Sequence, residues 1–311
     1  MTKIAAPMRW WKKILPILSI SLALSACGSN DANKPTDTLS SGNIDISVDE
    51  TYRPIIEEHI KVFDSSFPEA NVNTSYKPET ECLKDFLNGN VKLILVTREL
   101  SADEKHVLEA NKVVATTLPV AKDAIAVVLN KESSDSVLGI SALRGILTGA
   151  HTKKYTVVFD NQASSTVRYM LDSLIPGEKL GSGVYAAKGN EDVLDYVEKN
   201  PDAIGFIGVS YVSDFSDPEG LAFINRVKIA AIYNDSLQKP YQPYQAFIAT
   251  GQYPLTRNLY YIHRETYPGL ATGFANFLAR ERGQLIFKQA RLFPLRSNIV
   301  IREAQINNEE L

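Results

Sequence analysis

Cysteine is nearly missing from this chain of 311 residues, which holds only Cys27 and Cys82. Once the apolar leader that ends at Cys27 is set apart, Cys82 stands alone, so an internal disulfide framework and a cysteine-based metal cluster are both excluded. Histidine is scarce as well. His59, His106, His151 and His263 occur in no Gly-x-Ser-x-Gly elbow and no His-Glu-x-x-His pair; His59 and His106 fall in helical patterns and read as surface or boundary residues. No catalytic residue, metal site or cofactor is therefore expected, and a hydrolase built on Ser164 or Ser165 lacks a recognisable partner base. Positive charge is not in excess either: 33 basic residues stand against 36 acidic ones. Without the leader, which holds four of the basic residues and no acid, 29 face 36, a balance that gives no reason to expect nucleic acid. After the leader no further membrane-length apolar run occurs.

What is present begins with the leader. Lys3, Arg9, Lys12 and Lys13 precede an apolar, small-residue run from Ile14 to Ala26 that is too short to span a bilayer comfortably and reads as an export signal. It ends in Leu24-Ser25-Ala26-Cys27, which resembles the lipobox of bacterial lipoproteins and makes residues 1–27 a signal segment with Cys27 as the lipidated residue. Acyl chains on Cys27 would hold the protein at a membrane. Residues 28–43, rich in Ser, Asn, Asp, Thr and Pro, read as a flexible tether.

From Ile44 onward, roughly 270 residues alternate short β-like runs with helical periods, more than one core usually organises. Strands are expected at Ile44 to Val48, Val72 to Tyr76, Val91 to Thr97, Val113 to Val120, Ala124 to Leu129, Tyr155 to Phe159, Ile204 to Val209, Leu221 to Ile232 and Leu259 to Ile262. Helices are expected at Arg53 to Phe67, Glu81 to Asn88, Ile140 to Leu147, Val167 to Leu174 and, as one long segment, Gly269 to Gln289. This alternation implies an α/β architecture with open sheets.

In such sheets ligands bind beyond the carboxyl ends of strands, where helix N-termini present unpaired N–H groups. Three strand-to-helix junctions have suitable chemistry. At Asp49-Glu50-Thr51, Thr51 either donates its hydroxyl to an oxyanion or caps the following helix. At Thr97-Arg98 the guanidinium is suited to phosphate or carboxylate, with a surface salt bridge as the alternative. In Asp160-Asn161-Gln162-Ala163-Ser164-Ser165-Thr166, followed by Val167-Arg168, three adjacent hydroxyls at a helix start form a candidate anion nest.

Several ordered segments resemble one family. Val120 to Asn130, Ile140 to Ala150, Ile204-Gly205-Phe206-Ile207-Gly208, Tyr253 to Arg257 with Leu259-Tyr260, and Phe274 to Phe293 are similar to the phosphate-binding proteins of bacterial phosphate ABC transporters, the PstS-like group of the type II periplasmic-binding-protein superfamily. The resemblance spans nearly the whole mature domain. It implies two α/β lobes around an interlobe cleft: residues 44–123 with 258–311 as lobe 1, and 124–257 as lobe 2. It also implies a monomeric, extracytoplasmic protein that captures inorganic phosphate and delivers it to an ABC permease.

By the same resemblance, Thr51, Thr97, Arg98, Ser164, Ser165 and Thr166 fall on ligand-binding positions, with Arg168 a compensating cation. Several residues depart from the family pattern, among them Glu50 in the first loop and Ser165 in place of a glycine, and two of the departures are acids at key positions. Asp160 replaces an arginine that helps neutralise phosphate, and Asp49 lies where small neutral residues are usual; each reads as a proton acceptor for monohydrogen phosphate or as a mark of divergence. The alternative function is a diverged lipoprotein of the same fold that binds another small ligand or serves in signalling.

Overall fold

The computed structural model describes residues 36–212 and 225–299. The leader with Cys27, the first part of the expected tether, residues 221–224 of an expected strand and residues 300–311 lie outside the described residues. The later part of the expected tether is docked rather than free. Asp37, 5% exposed, accepts hydrogen bonds from Lys92 Nζ (3.0 Å), Tyr267 OH (2.6 Å) and the Leu270 N–H (2.9 Å).

Strand β1, Gly42–Asp49, leads through a 3₁₀ turn, Glu50–Tyr52, into helix α1, Arg53–Ser66. Pro54 sits in the first turn of α1, where its missing N–H costs nothing. Ile55, Ile56, His59 and Phe63 form the buried face of that helix. Strand β2, Ala70–Lys77, precedes α2, Glu79–Asn88, which ends on Gly89 in the left-handed region. Strand β3, Leu93–Val96, is buried throughout, and α3, Ala102–Ala110, starts with a capping box between Ser101 and Glu104.

The two runs expected around residue 120 are one strand, β4, Thr116–Leu129. It is followed by β5, Val137–Gly139; α4, Ile140–Thr148; β6, Thr156–Phe159; and α5, Ser165–Tyr169, which continues as a π-turn over Met170–Leu174. Next come β7, Val184–Ala186; α6, Asn190–Lys199; and β8, Ala203–Gly208. After residue 224 the elements are β9, Lys228–Ile229; β10, Ala231–Asn234; β11, Lys239–Tyr241; α7, Gln245–Ala249; and β12, Thr256–His263.

The expected long final helix is two: α8, Leu270–Ala279, and α9, Glu281–Gln289, broken by extended backbone at Arg280 and followed by β13, Phe293–Pro294. Packing explains the break. The first turn of α9 lies so close to the end of α8 that a Cβ on Gly283 would stand 2.3 Å from the Phe277 carbonyl oxygen. His59 also differs from its surface reading: it is fully buried, with Nδ1 2.7 Å from the Ile55 carbonyl and Nε2 3.0 Å from that of Gly283. Burial holds its pKa down to about 4, so it is a neutral strut between α1 and α9 at physiological pH.

The main sheet runs in the order β2-β1-β3-β12-β4-β8-β6-β7, and a small sheet pairs β11, β10 and β5. β4 connects the two ends of the main sheet. Its first part pairs antiparallel with β12 and its last five residues, Ile125 to Leu129, pair antiparallel with β8. A β-bulge leaves Val120 unopposed between Pro119 and Ala121, and its carbonyl instead accepts Gln284 Nε2 and the Leu295 N–H, each at 3.0 Å. On one side β1 is parallel to β2 and β3; on the other β6 is parallel to β7 and β8. This mixed α/β sheet brings the carboxyl ends of β1, β3, β6 and β8 into one region. Among the described residues no helix is long and apolar enough to cross a membrane.

Candidate functional site

At the end of β1, the Asp49 carboxylate accepts the Thr51 N–H at 3.1 Å. Asp49 therefore performs the local capping, and the Thr51 hydroxyl, fully buried, has no protein partner. Of the two roles open to Thr51, the structure assigns helix capping to its neighbour. Tyr52, next in the turn, is also fully buried and donates its hydroxyl to Asp123 at 2.8 Å.

The end of β6 supplies the hydroxyl run. Ser164 Oγ accepts the Val167 N–H at 3.2 Å and caps α5; Ser165 Oγ accepts Arg257 Nη1 at 2.9 Å; Thr166 Oγ1 is buried and unpartnered. Three adjacent hydroxyls thus have three different fates, and one of them points at no protein group. Asp160, at the base of this turn, is completely buried, and neither carboxylate oxygen meets hydrogen-bond geometry with a protein group, although the Ser164 hydroxyl and the Asn161 amide approach it.

Thr97 and Arg168 lie together. Glu79, 1% exposed at the start of α2, accepts the Thr97 N–H and hydroxyl at 2.6 Å each and Arg168 Nε at 2.6 Å, while Arg168 Nη2 donates to Thr97 Oγ1 at 2.7 Å. These groups are consumed by one another. Arg98 is turned elsewhere: its two terminal nitrogens each donate to Glu104 at 2.7 Å, which ties it to the capping box of α3. The surface-type salt bridge, not an anion, is its partner.

The guanidinium at the centre is Arg257, on β12 opposite Asp123 of β4. It is 6% exposed, gives Nε to Asp123 at 2.8 Å and Nη1 to Ser165, and leaves Nη2 buried without a partner. Sequence reading placed Arg257 in a family segment but assigned it no role, and it passed over Glu79 and Asp123. The available signal was an Asp directly before the apolar run Ala124 to Leu129 and an Arg two residues before the run Leu259 to Ile262. Only the strand register shows that they meet.

The loop after β8 closes the arrangement. Ser210 Oγ and Tyr211 OH donate to the main-chain carbonyls of Thr51 and Glu50, each at 3.2 Å, and Thr80 Oγ1 donates to the Ala163 carbonyl at 3.2 Å. Gly208 permits the approach, because a Cβ there would stand 2.4 Å from the Thr51 methyl.

Burial shapes the electrostatics. It pushes the Asp49 carboxyl upward, reinforced by nearby Glu79 and opposed by Arg257. It also raises Asp160, and lifts the half-buried Glu50 to about 7 with help from the Asp160 charge. Arg257 is held firmly protonated: burial opposes its charge, but Tyr52, Asp123 and Asp49 outweigh that effect. The site thus combines hydroxyl and guanidinium donors with carboxyl groups that have neutral-pH access to protons. Among the described residues no cluster of His, Cys, Asp and Glu has metal-holding geometry.

Residues 33–282 match the model of the PBP superfamily domain. The chain is 23% identical over 270 residues to the phosphate-binding protein PstS of Staphylococcus epidermidis, covering 81% of this chain and 78% of that protein. It is 23% identical over 288 residues to PstS of Bacillus subtilis, covering 86% and 88%. A phosphate ABC transporter substrate-binding protein of Clostridium perfringens, solved with bound phosphate, superimposes with a TM-score of 0.69 at 19% identity, over 82% of this chain and all of that one. With most of its length inside the domain match and its sheet order in the same fold, this chain belongs to the PBP superfamily, the group of periplasmic-binding-protein-like α/β proteins.

Proposed function

We propose that this protein is an extracytoplasmic, lipid-anchored solute receptor that captures phosphate, as HPO4 or H2PO4, and delivers it to an ABC permease. Cys27 carries the anchor, the receptor works as a monomer, and β4 and β12 are the crossovers between two lobes that meet over the ligand. One observation carries the reading. The Thr51 hydroxyl, the Thr166 hydroxyl and Arg257 Nη2 are buried donors without protein partners, contributed by three separate strand ends around the N-terminus of α5. Buried donors of this kind are costly unless a ligand takes them, and together they offer an oxyanion both charge and direction. The similarity to phosphate-binding proteins supplies phosphate as the anion. Arg257 replaces Arg98 as the principal cation in this reading, while Thr97 and Arg168 support the wall through Glu79.

Calorimetric titration of protein freed of bound anion tests the proposal. Phosphate binds the parent, and Arg257→Lys weakens it by about a hundredfold, because lysine loses the planar fork while keeping the charge; Thr51→Val, which keeps the shape against Gly208, weakens it by about tenfold. Absence of heat with phosphate, sulfate and molybdate would overturn anion capture.

The acids favour a second reading, that of a diverged receptor for another small ligand. Asp49, Glu50 and Asp160 crowd the donors, and a deprotonated carboxylate beside a bound anion is strongly unfavourable in a dry site.

A further inference from the structure

Asp123 is paired with Arg257, and Glu79 with Arg168. Three further carboxyl groups of the site, Glu50, Asp49 and Asp160, keep at least one buried oxygen without a hydrogen bond. Asp49, which accepts only the Thr51 N–H on its other oxygen, and Asp160 are completely buried. Asp49 Oδ2 and both oxygens of Asp160 lack protein partners, in the same cluster as the unpartnered donors of Thr51, Thr166 and Arg257. Monohydrogen phosphate would satisfy the donors and give its one O–H to a single acid, which leaves the other carboxylate beside an added negative charge. Buried acceptors call for N–H or O–H donors, and buried carboxylates call for a cation.

A separate cavity adjoins this cluster at Glu50. An open pocket of about 350 Å³ is lined by Glu50, Arg53, Lys188, Asn190, Glu191 and Tyr211 among others. It shares Glu50 with the turn that carries Asp49 and Thr51. Asn190, 2% exposed, has both ends of its amide unpartnered.

We propose that the ligand carries a cationic group next to its oxyanion, as in a small ammonium-bearing phosphate or phosphonate. The oxyanion lies on Thr51, Thr166 and Arg257, and the ammonium lies against Asp160 and Asp49. This rests on the oxyanion-capture reading and narrows it. The arrangement resolves the conflict between donors and acids, because the ligand brings one charge of each sign to a site that has unanswered groups of both kinds. Protons on the two acids would also relieve the conflict, but they would give no preference for an ammonium.

The test compares 2-aminoethyl phosphate, ethyl phosphate and inorganic phosphate by calorimetry at pH 7.5, with the full-length protein held in detergent. The aminoethyl ester is expected to bind at least tenfold more tightly than the ethyl ester. Asp160→Asn should reduce that preference to less than twofold. Asp49→Asn supplies a second variant with the same expectation if the first does not fold. Binding of phosphate together with a preference below twofold in the parent would overturn this inference and leave anion capture standing. No binding of any of the three would overturn both.

Discussion

Glu79 and Asp160 are two carboxyl groups of the same buried cluster, 1% and 0% exposed, and the protein treats them in opposite ways. Glu79 receives the Thr97 N–H, the Thr97 hydroxyl and the Arg168 guanidinium, so its charge is answered on the spot and it ties α2 to the ends of β3 and α5. Asp160 receives no well-formed bond and sits beside donors that are equally unclaimed. A saturated buried acid is part of the frame, whereas an unsaturated one beside unsaturated donors is a place for something else to bind. Burial alone would not have separated them.

The contrast can be broken most severely at Glu79. Glu79→Ala takes the buried carboxylate from Arg168, leaving it the exposed Asp172 and Thr97 Oγ1, and strands the Thr97 amide, and is expected to cost about 3 kcal/mol in urea unfolding; Glu79→Gln, which keeps the acceptor and loses the charge, should recover part of it. If the alanine variant were as stable as the parent, the framing role would fail. Asp160→Asn should act in the opposite direction and with a pH signature. Because burial raises its folded pKa, Asp160 holds its proton more tightly when folded, and the parent loses stability as pH rises from the ordinary carboxylate range through that raised value. The asparagine variant lacks this loss. It should match the parent near pH 3, below the ordinary carboxylate range, and exceed it by about 1–3 kcal/mol at pH 8; a difference that does not change with pH would refute the assignment. The smallest effect is expected at Arg98. Its partly exposed pair with Glu104 is worth about 1 kcal/mol or less, and Arg98→Ala should change phosphate affinity by less than twofold. A large loss of affinity there would return Arg98 to the site.

Local signals made much of the fold legible. The apolar runs at Ile44 to Val48 and Val91 to Thr97 and the helical period from Arg53 to Phe67 act over a few residues, and the elements they mark stand close to where they were expected. The junctions were legible for the same reason, since a strand end followed by Thr51 or by Ser164-Ser165-Thr166 is a local feature. The helices Asn190–Lys199 and Gln245–Ala249 were missed although their patterns are local, and three further departures involve partners distant in the chain. The final helix breaks at Arg280 because of how α9 folds back on α8, β4 is one strand because β12 and β8 pair along its length, and Asp37 is held by residues 92, 267 and 270.

What the sequence determined by itself, then, was the alternation of strands and helices, the shortage of thiols and imidazoles, and which turns bear hydroxyls and charges. Tertiary structure alone decided how those charges are spent. It joined Arg257 to Asp123 across 134 residues of chain, took Arg98 to Glu104 and Arg168 to Glu79, and left Asp49 and Asp160 unanswered. The reason is range. Backbone preference is set by near neighbours, whereas the partner of a buried charge is set by strand register and by which loops meet when the sheet closes around them.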